Sequence, residues 1–183
     1  AILTAINLGQ DSRWLKDFSM PYFGDLVSLE QVKKVLDDFD NISLEYLGDD
    51  WPEKAAISVS EGKICALFHG QMEFGPRALG NRSIIANPML EDTRQKINST
   101  IKRRPSYQTF CLSILEEERE RLFQDSFSHK HMAIAFRMKK EFIKDLPCAV
   151  HVDGTARPQF VEEKDNPNYY CYLKALKKIT GYG

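Results

Sequence analysis

The alternation of apolar and polar positions changes period several times along the chain, and each change predicts an element. Val32, Val35, Leu36 and Phe39 recur at helical spacing behind Ser28-Leu-Glu-Gln31, which has the form of a capping box. Ile42, Leu44 and Tyr46 alternate with Ser43 and Glu45, a spacing that predicts a short strand. Asp50 stands where a cap belongs for a helix through Ala55, Ala56 and Val59, with Gly62 as its stop. The unbroken apolar run from Ile64 to Phe68 predicts a strand covered on both faces.

Further along, Ile84-Ile-Ala-Asn-Pro88 reads as a buried strand or turn, and Ile97 and Ile101 give residues 91–101 a helical spacing. Strands are predicted over 110–115, 132–138, 148–153 and 157–161. A charged helix with a solvated face is predicted over 116–123, and a last helix over 168–179. Helices and strands alternate irregularly, so the expected fold class is α/β, a mixed twisted sheet with helices on its faces. Residues 1–25 are weakly patterned, with a turn at Pro21-Tyr-Phe-Gly-Asp25, and read as an N-terminal linker to one domain over 26–183. No internal repeat or low-complexity segment interrupts that domain.

Composition narrows the function classes. At 183 residues and 43% hydrophobic, the chain can bury one sizeable core. Lys plus Arg number 25 against 26 for Asp plus Glu, which argues against a nucleic-acid coat or a polybasic membrane anchor. No apolar run approaches the ~20 residues of a bilayer span. Cys65, Cys111, Cys148 and Cys171 form no CxxC pair and read as reduced thiols packing as small hydrophobes, which suits the cytoplasm. The first residues carry neither an initiator Met nor the basic region of a signal peptide, so the chain reads as an excised fragment.

The candidate chemistry lies in His69-Gly-Gln-Met-Glu-Phe-Gly-Pro-Arg-Ala-Leu-Gly-Asn-Arg-Ser83, a glycine-rich connection with Arg77 and Arg82 five apart. Backbone amides and guanidinium groups together are a usual cradle for phosphate oxygens, and Ser83 adds a hydroxyl. The same residues also fit a plainer reading, in which the glycines serve turns and the arginines make surface ion pairs. The run is neither a Walker A loop nor a dinucleotide fingerprint. His151 and Asp153, two apart on a predicted strand, would face one side, either holding a magnesium-bound water or a ribose or bonding the following turn. His129-Lys-His131 has no third candidate ligand near it, so no metal site is assigned.

The segment from Phe68 to Ile84 resembles the signature GRMEFGPRALGNRSI of the nodulation-type O-carbamoyltransferases, a family that makes O-carbamoylated sugars and antibiotics. Pro21-Tyr-Phe-Gly24 resembles the family's PYLG-like motif, and Ile97-Asn-Ser-Thr-Ile-Lys-Arg-Arg104 resembles its INxxIKxRE segment. His151-Val-Asp-Gly-Thr-Ala-Arg157 with Gln159 resembles its HVDGTARxQ. The resemblance implies the family's C-terminal, three-layer YrdC-like domain, akin to threonylcarbamoyl-adenylate synthases and the hydrogenase-maturation carbamoyltransferase. Such a domain takes carbamoyl phosphate and ATP, with Mg²⁺, and forms carbamoyl-adenylate. A separate N-terminal kinase-like domain then passes the carbamoyl group to an acceptor hydroxyl, so full activity needs both.

Carried over residue by residue, the resemblance implies catalytic roles for Arg77, Arg82, Ser83, Lys102 and Arg104. It implies nucleotide-binding roles for Asn81, His151, Asp153, Thr155 and Arg157. Two positions depart from the pattern. Gln71 stands where the family has Arg, and Pro105-Ser-Tyr-Gln-Thr-Phe110 puts Gln108 at another Arg position. The family continues past the point where this chain stops, so an open sheet edge is expected near Gly183. Two other readings stay open, a degenerate nucleotide-binding regulatory or scaffold module and an RNA-binding surface.

Overall fold

A computed structural model describes residues 2–11 and 20–183. Residues 1 and 12–19 of the predicted linker lie outside the described residues.

The first helices, α1 (Ile2–Asn7) and α2 (Leu29–Leu36), precede the densely packed part of the chain. The capping box forms as predicted: Ser28 Oγ accepts from Gln31 N at 3.2 Å, and Gln31 Oε1 accepts from Ser28 N at 2.8 Å. None of the residues of α2 is buried. The strand expected at 42–46 does not form, because the segment finds no strand partner among the described residues and Ile42, Leu44 and Tyr46 stay exposed. Alternation without a neighbouring ladder cannot satisfy the backbone as a strand.

Helix α3 (Trp51–Ser60) follows a 3-10 turn at Gly48–Asp50 and buries Ala56 and Val59. Strand β1 (Cys65–Phe68) pairs antiparallel with β2 (Arg82–Ile85). β1 is not covered on both faces: its residues alternate half-buried and exposed, with β2 and α3 packed closely against it. Helix α4 (Thr93–Lys96) widens into a π turn over Ile97–Lys102, which Arg103 ends at φ +48°.

Strand β3 (Leu112–Leu115) leads into a 3-10 turn at Glu116–Glu118 and helix α5 (Arg119–Leu122). The charged run is not simply a solvated face. Glu118 is 5% exposed and bonds Arg121 and Lys177, so its charge is buried with two cationic partners. Of the strand expected over 132–138 only β4 (Phe136–Arg137) forms, and Met132 at φ +52° breaks the extended path before it. The strand expected at 148–153 is absent. Gly154 N closes a turn on His151 O at 2.9 Å, and the Asp153 carboxylate takes Thr155 N at 3.0 Å, a local bond that competes with a ladder.

Strands β5 (Thr155–Ala156) and β6 (Pro158–Val161) are separated only by Arg157. β5 pairs antiparallel with β4 and β6 pairs parallel with β3, so one short stretch serves two partners. The architecture is mixed α/β, with parallel and antiparallel pairing in three two-stranded sheets among the described residues. Leu115 N donates to Gly183 O at 2.9 Å beside β3. Helix α6 (Pro167–Thr180), capped by Asn166 Oδ1 on Tyr169 N at 3.1 Å, packs against α3. One core gathers Leu112, Phe123, Phe136 and Phe160; the other joins α3 to α6 through Val59, Tyr172 and Leu173. All four cysteines are free thiols, with Cys148 buried and Cys171 exposed, so Cys171 does not pack as a small hydrophobe. No described helix is long and apolar enough to cross a membrane.

Candidate anion-binding site

Residues 69–81 connect β1 to β2, and a buried carboxylate organises them. Glu73 is 8% exposed. Its Oε1 accepts from Leu79 N at 2.7 Å, Asn81 N at 2.8 Å and Arg82 N at 3.2 Å, and Oε2 shares the last donor at 3.2 Å. Burial alone would raise the Glu73 carboxyl, but these backbone donors outweigh it and hold it below its ordinary value. The remaining amide of this turn, Gly80 N, donates to Ser83 Oγ at 2.9 Å. The amides of residues 79–82 are thus engaged within the protein, and they do not form the phosphate cradle expected from the glycine pattern.

Beneath the loop lies a polar network. Leu79 O accepts from Tyr22 OH at 2.8 Å and from Gln159 Nε2 at 2.9 Å, with Gln159 only 1% exposed. Asn81 gives Nδ2 to Gln71 O at 2.7 Å and takes Asn166 Nδ2 on its Oδ1 at 2.8 Å, tying the loop to the start of α6. Desolvation pushes the Tyr22 hydroxyl up to about 12, so it stays a donor at neutral pH.

Beside this loop a cavity of about 450 Å³ opens over side chains of both cores. Arg77, Ser83, Lys102, Arg104 and Arg157 line it together with Gln108, Thr109 and Phe110. Arg77 and Lys102 are exposed, whereas Arg104 and Arg157 are half-buried. No Asp or Glu side chain lines the cavity, and none of the four cations makes an ion pair among the described residues. Arg157 Nε is buried without a hydrogen-bond partner among the described residues. Arg104 is aimed by its surroundings: Nε donates to Asn98 Oδ1 at 2.6 Å, and the guanidinium carbon lies 4.4 Å from the centre of the Phe110 ring. Asn98 is fully buried and also donates to Ser106 O and Gln108 O, so it shapes the whole 104–108 turn.

The other expected site residues lie off this cavity. Arg82 folds back onto backbone carbonyls, with Nη1 donating to His69 O at 2.7 Å and Asn81 O at 3.1 Å, and it covers Phe68 at 3.7 Å. Asn81 is buried and fully engaged with the protein. His151 reaches the cavity wall only through Thr109, whose Oγ1 lies 3.2 Å from its Nδ1. Asp153 is exposed and bonds Thr155 N and Oγ1, which holds its carboxyl below the ordinary range. Among the described residues no three His, Cys, Asp or Glu side chains converge as a metal centre would require.

Sequence reasoning passed over Glu73 and Asn98. A carboxylate inside a glycine-rich run and an Asn midway along a helical segment are polar groups with no solvent-facing pattern to explain them.

Comparison with known proteins matches residues 56–183 to the family described as the carbamoyltransferase C-terminus. An uncharacterised protein of Methanocaldococcus jannaschii is 64% identical over the whole of this chain and 30% of its own length. Nodulation protein NolO of Bradyrhizobium diazoefficiens is 38% identical over 72% of this chain and 25% of its own length. The 3'-hydroxymethylcephem-O-carbamoyltransferase of Streptomyces clavuligerus is 32% identical over 72% of this chain and 25% of its own length. The chain therefore spans less than a third of the length of these relatives, each a larger protein. Its match over residues 56–183 places the chain in the carbamoyltransferase C-terminal domain family.

Proposed function

We propose that residues 26–183 bind carbamoyl phosphate and ATP in the cationic cavity and form carbamoyl-adenylate in the cytoplasm. The intermediate then passes to an N-terminal kinase-like domain of the same polypeptide for transfer to an acceptor hydroxyl. One observation carries the reading: four cationic side chains line one cavity with no carboxylate to neutralise them, and a buried guanidinium N–H there has no partner. A cluster of cations with a buried, unpartnered guanidinium N–H favours an anion beside it. A YrdC-like arrangement of the fold goes with this proposal.

The chemistry fits a site without a protein nucleophile. Carbamoyl-adenylate joins a carbamate oxygen to the α-phosphorus of ATP, so water must first release carbamate and inorganic phosphate from carbamoyl phosphate. The carbamate oxygen then attacks the α-phosphorus and pyrophosphate departs. Roughly six negative charges meet in the cavity. In this reading the half-buried Arg104 and Arg157 offset charge at the reacting phosphorus, and the exposed Arg77 and Lys102 hold the departing pyrophosphate. Magnesium would arrive with ATP, and no residue of this chain is assigned to it.

Isothermal titration with carbamoyl phosphate and a non-hydrolysable ATP analogue tests the reading. Dissociation constants for both above ~1 mM refute it. A second reading is favoured by Gln108, which lines the cavity at a position where the family resemblance implies Arg. In that reading the domain is a regulatory nucleotide-binding module. It predicts that ATP binds but pyrophosphate is not released when carbamoyl phosphate is added.

A further inference from the structure

Residues 75–78 bring Arg77 to the cavity, yet they hold no hydrogen bond of their own among the described residues. The span is tied only at its ends. Phe74 N donates to Pro21 O at 2.7 Å on one side, and Leu79 N to the Glu73 carboxylate at 2.7 Å on the other. Gly75 sits at φ +140° with open space around it, so no neighbouring side chain holds that end of the span in place.

We propose that Glu73 is a positioning residue of this site, its carboxylate acting as a built-in anion that fills the amide nest of residues 79–82 and so fixes the span carrying Arg77. This rests on the reading of the cavity as the anion site. Convergent backbone N–H groups at a turn ordinarily capture an external phosphate or carboxylate. Here Leu79, Asn81 and Arg82 direct theirs at one internal carboxylate within 2.7–3.2 Å, and among the described residues no side-chain cation pairs with it. Glu73 is anchored in turn, because its backbone bridges Tyr22 in an antiparallel pair.

Two consequences follow. Substrate phosphates are shut out of the nest and left to the side chains of the cavity. The far end of the loop also becomes an ionic hinge point: loss of the charge frees three amides and releases the segment that holds Arg77. A neutral amide at position 73 offers one oxygen of similar shape but weaker acceptance, and its NH₂ would face the Arg82 amide that Oε2 now accepts.

The test compares the wild-type protein with Glu73→Gln and Glu73→Ala for binding of a non-hydrolysable ATP analogue by calorimetry, with thermal unfolding measured alongside. Expected is binding about tenfold weaker in both variants, the loss of charge-assisted bonds to the loop. Formate should restore a large part of the Glu73→Ala affinity, and chloride at equal ionic strength should not, since only a carboxylate can refill the nest. Wild-type protein that itself fails to bind the analogue removes the cavity reading, and this inference with it. Wild-type binding with both variants within twofold of it overturns the role of Glu73 alone. So does a loss that formate leaves unchanged, which would mark a purely structural residue. Should Glu73→Ala fail to fold, Glu73→Gln decides: tenfold weaker binding at a Tm within about 5 °C of wild type supports the proposal, and unchanged binding overturns it.

Discussion

Replacing Gly80 by Ala tests the loop geometry, and Gly75→Ala supplies its internal control. Both glycines have positive φ, +110° at Gly80 and +140° at Gly75, so each substitution brings a backbone strain of about 1–3 kcal/mol. Each also gains the same ~0.4–1 kcal/mol from a stiffer unfolded chain. The surroundings differ. A Cβ on Gly75 meets nothing within 4 Å, whereas one on Gly80 would lie 2.5 Å from Tyr169 Cδ1 and 2.8 Å from Cγ. The ring cannot withdraw easily, because Tyr169 is 4% exposed and stacks on Tyr172 at 5.8 Å and 9°. Overpacking at such a contact costs about 1–3 kcal/mol more. Gly80→Ala should therefore be less stable than Gly75→Ala by about that amount, read as a lower urea midpoint at unchanged slope. A difference under ~0.5 kcal/mol would mean that the loop and α6 are not in this contact, and the packing argument would fall.

Other changes separate binding from stability. Arg157→Met should weaken ATP-analogue binding about tenfold without loss of stability, since it removes a cavity cation whose Nε has no partner, as calorimetry and urea unfolding would show. Arg82→Ala should do the reverse, costing about 1–2 kcal/mol through its lost carbonyl bonds and Phe68 contact while changing binding less than about threefold. For acid sensitivity the group to test is Glu118. Burial would raise its carboxyl, but Lys177 and Arg121 outweigh that and hold it low. A carboxyl with a depressed folded value stabilises above its unfolded value and loses that contribution as pH falls through the folded one. Glu118→Gln should flatten the stability profile below about pH 4.5, measured as urea midpoint against pH.

Local signals in the sequence were legible where local physics decides. The capping box at Ser28, the helices at 51–60 and 167–180 and the strand at 112–115 depend on nearby residues, and they form close to where the pattern places them. The failures at 42–46 and 148–153 concern segments whose strand character needed a partner that the fold did not bring among the described residues. Arg77, Lys102, Arg104 and Arg157 do meet at one cavity although eighty positions separate the first from the last. Arg82 could not be told from Arg77 by sequence, because both are arginines in one glycine-rich run. What separates them is register: Arg82 opens β2 opposite Phe68 in the β1–β2 hairpin.

The same reasoning ranks the two glutamines that stand at arginine positions of the family pattern. Gln71 is exposed and does not line the cavity, and among the described residues only its backbone carbonyl is used, by Asn81. Gln108 lines the cavity, and its backbone is fixed by Asn98 Nδ2 on its carbonyl at 2.9 Å and by its own N–H on Pro105 O at 3.2 Å. A guanidinium at 108 would add a fifth cation to four. Water and salt screen its repulsion from the exposed Arg77 and Lys102, and a polyphosphate in the cavity attracts it. Gln108→Arg should therefore tighten ATP-analogue binding about tenfold while lowering the urea midpoint slightly at low salt. Gln71→Arg adds the same net charge outside the cavity and should change binding less than about twofold. Equal effects of the two substitutions would show that net charge rather than cavity geometry governs affinity, and the assignment of the site to this cavity would fail.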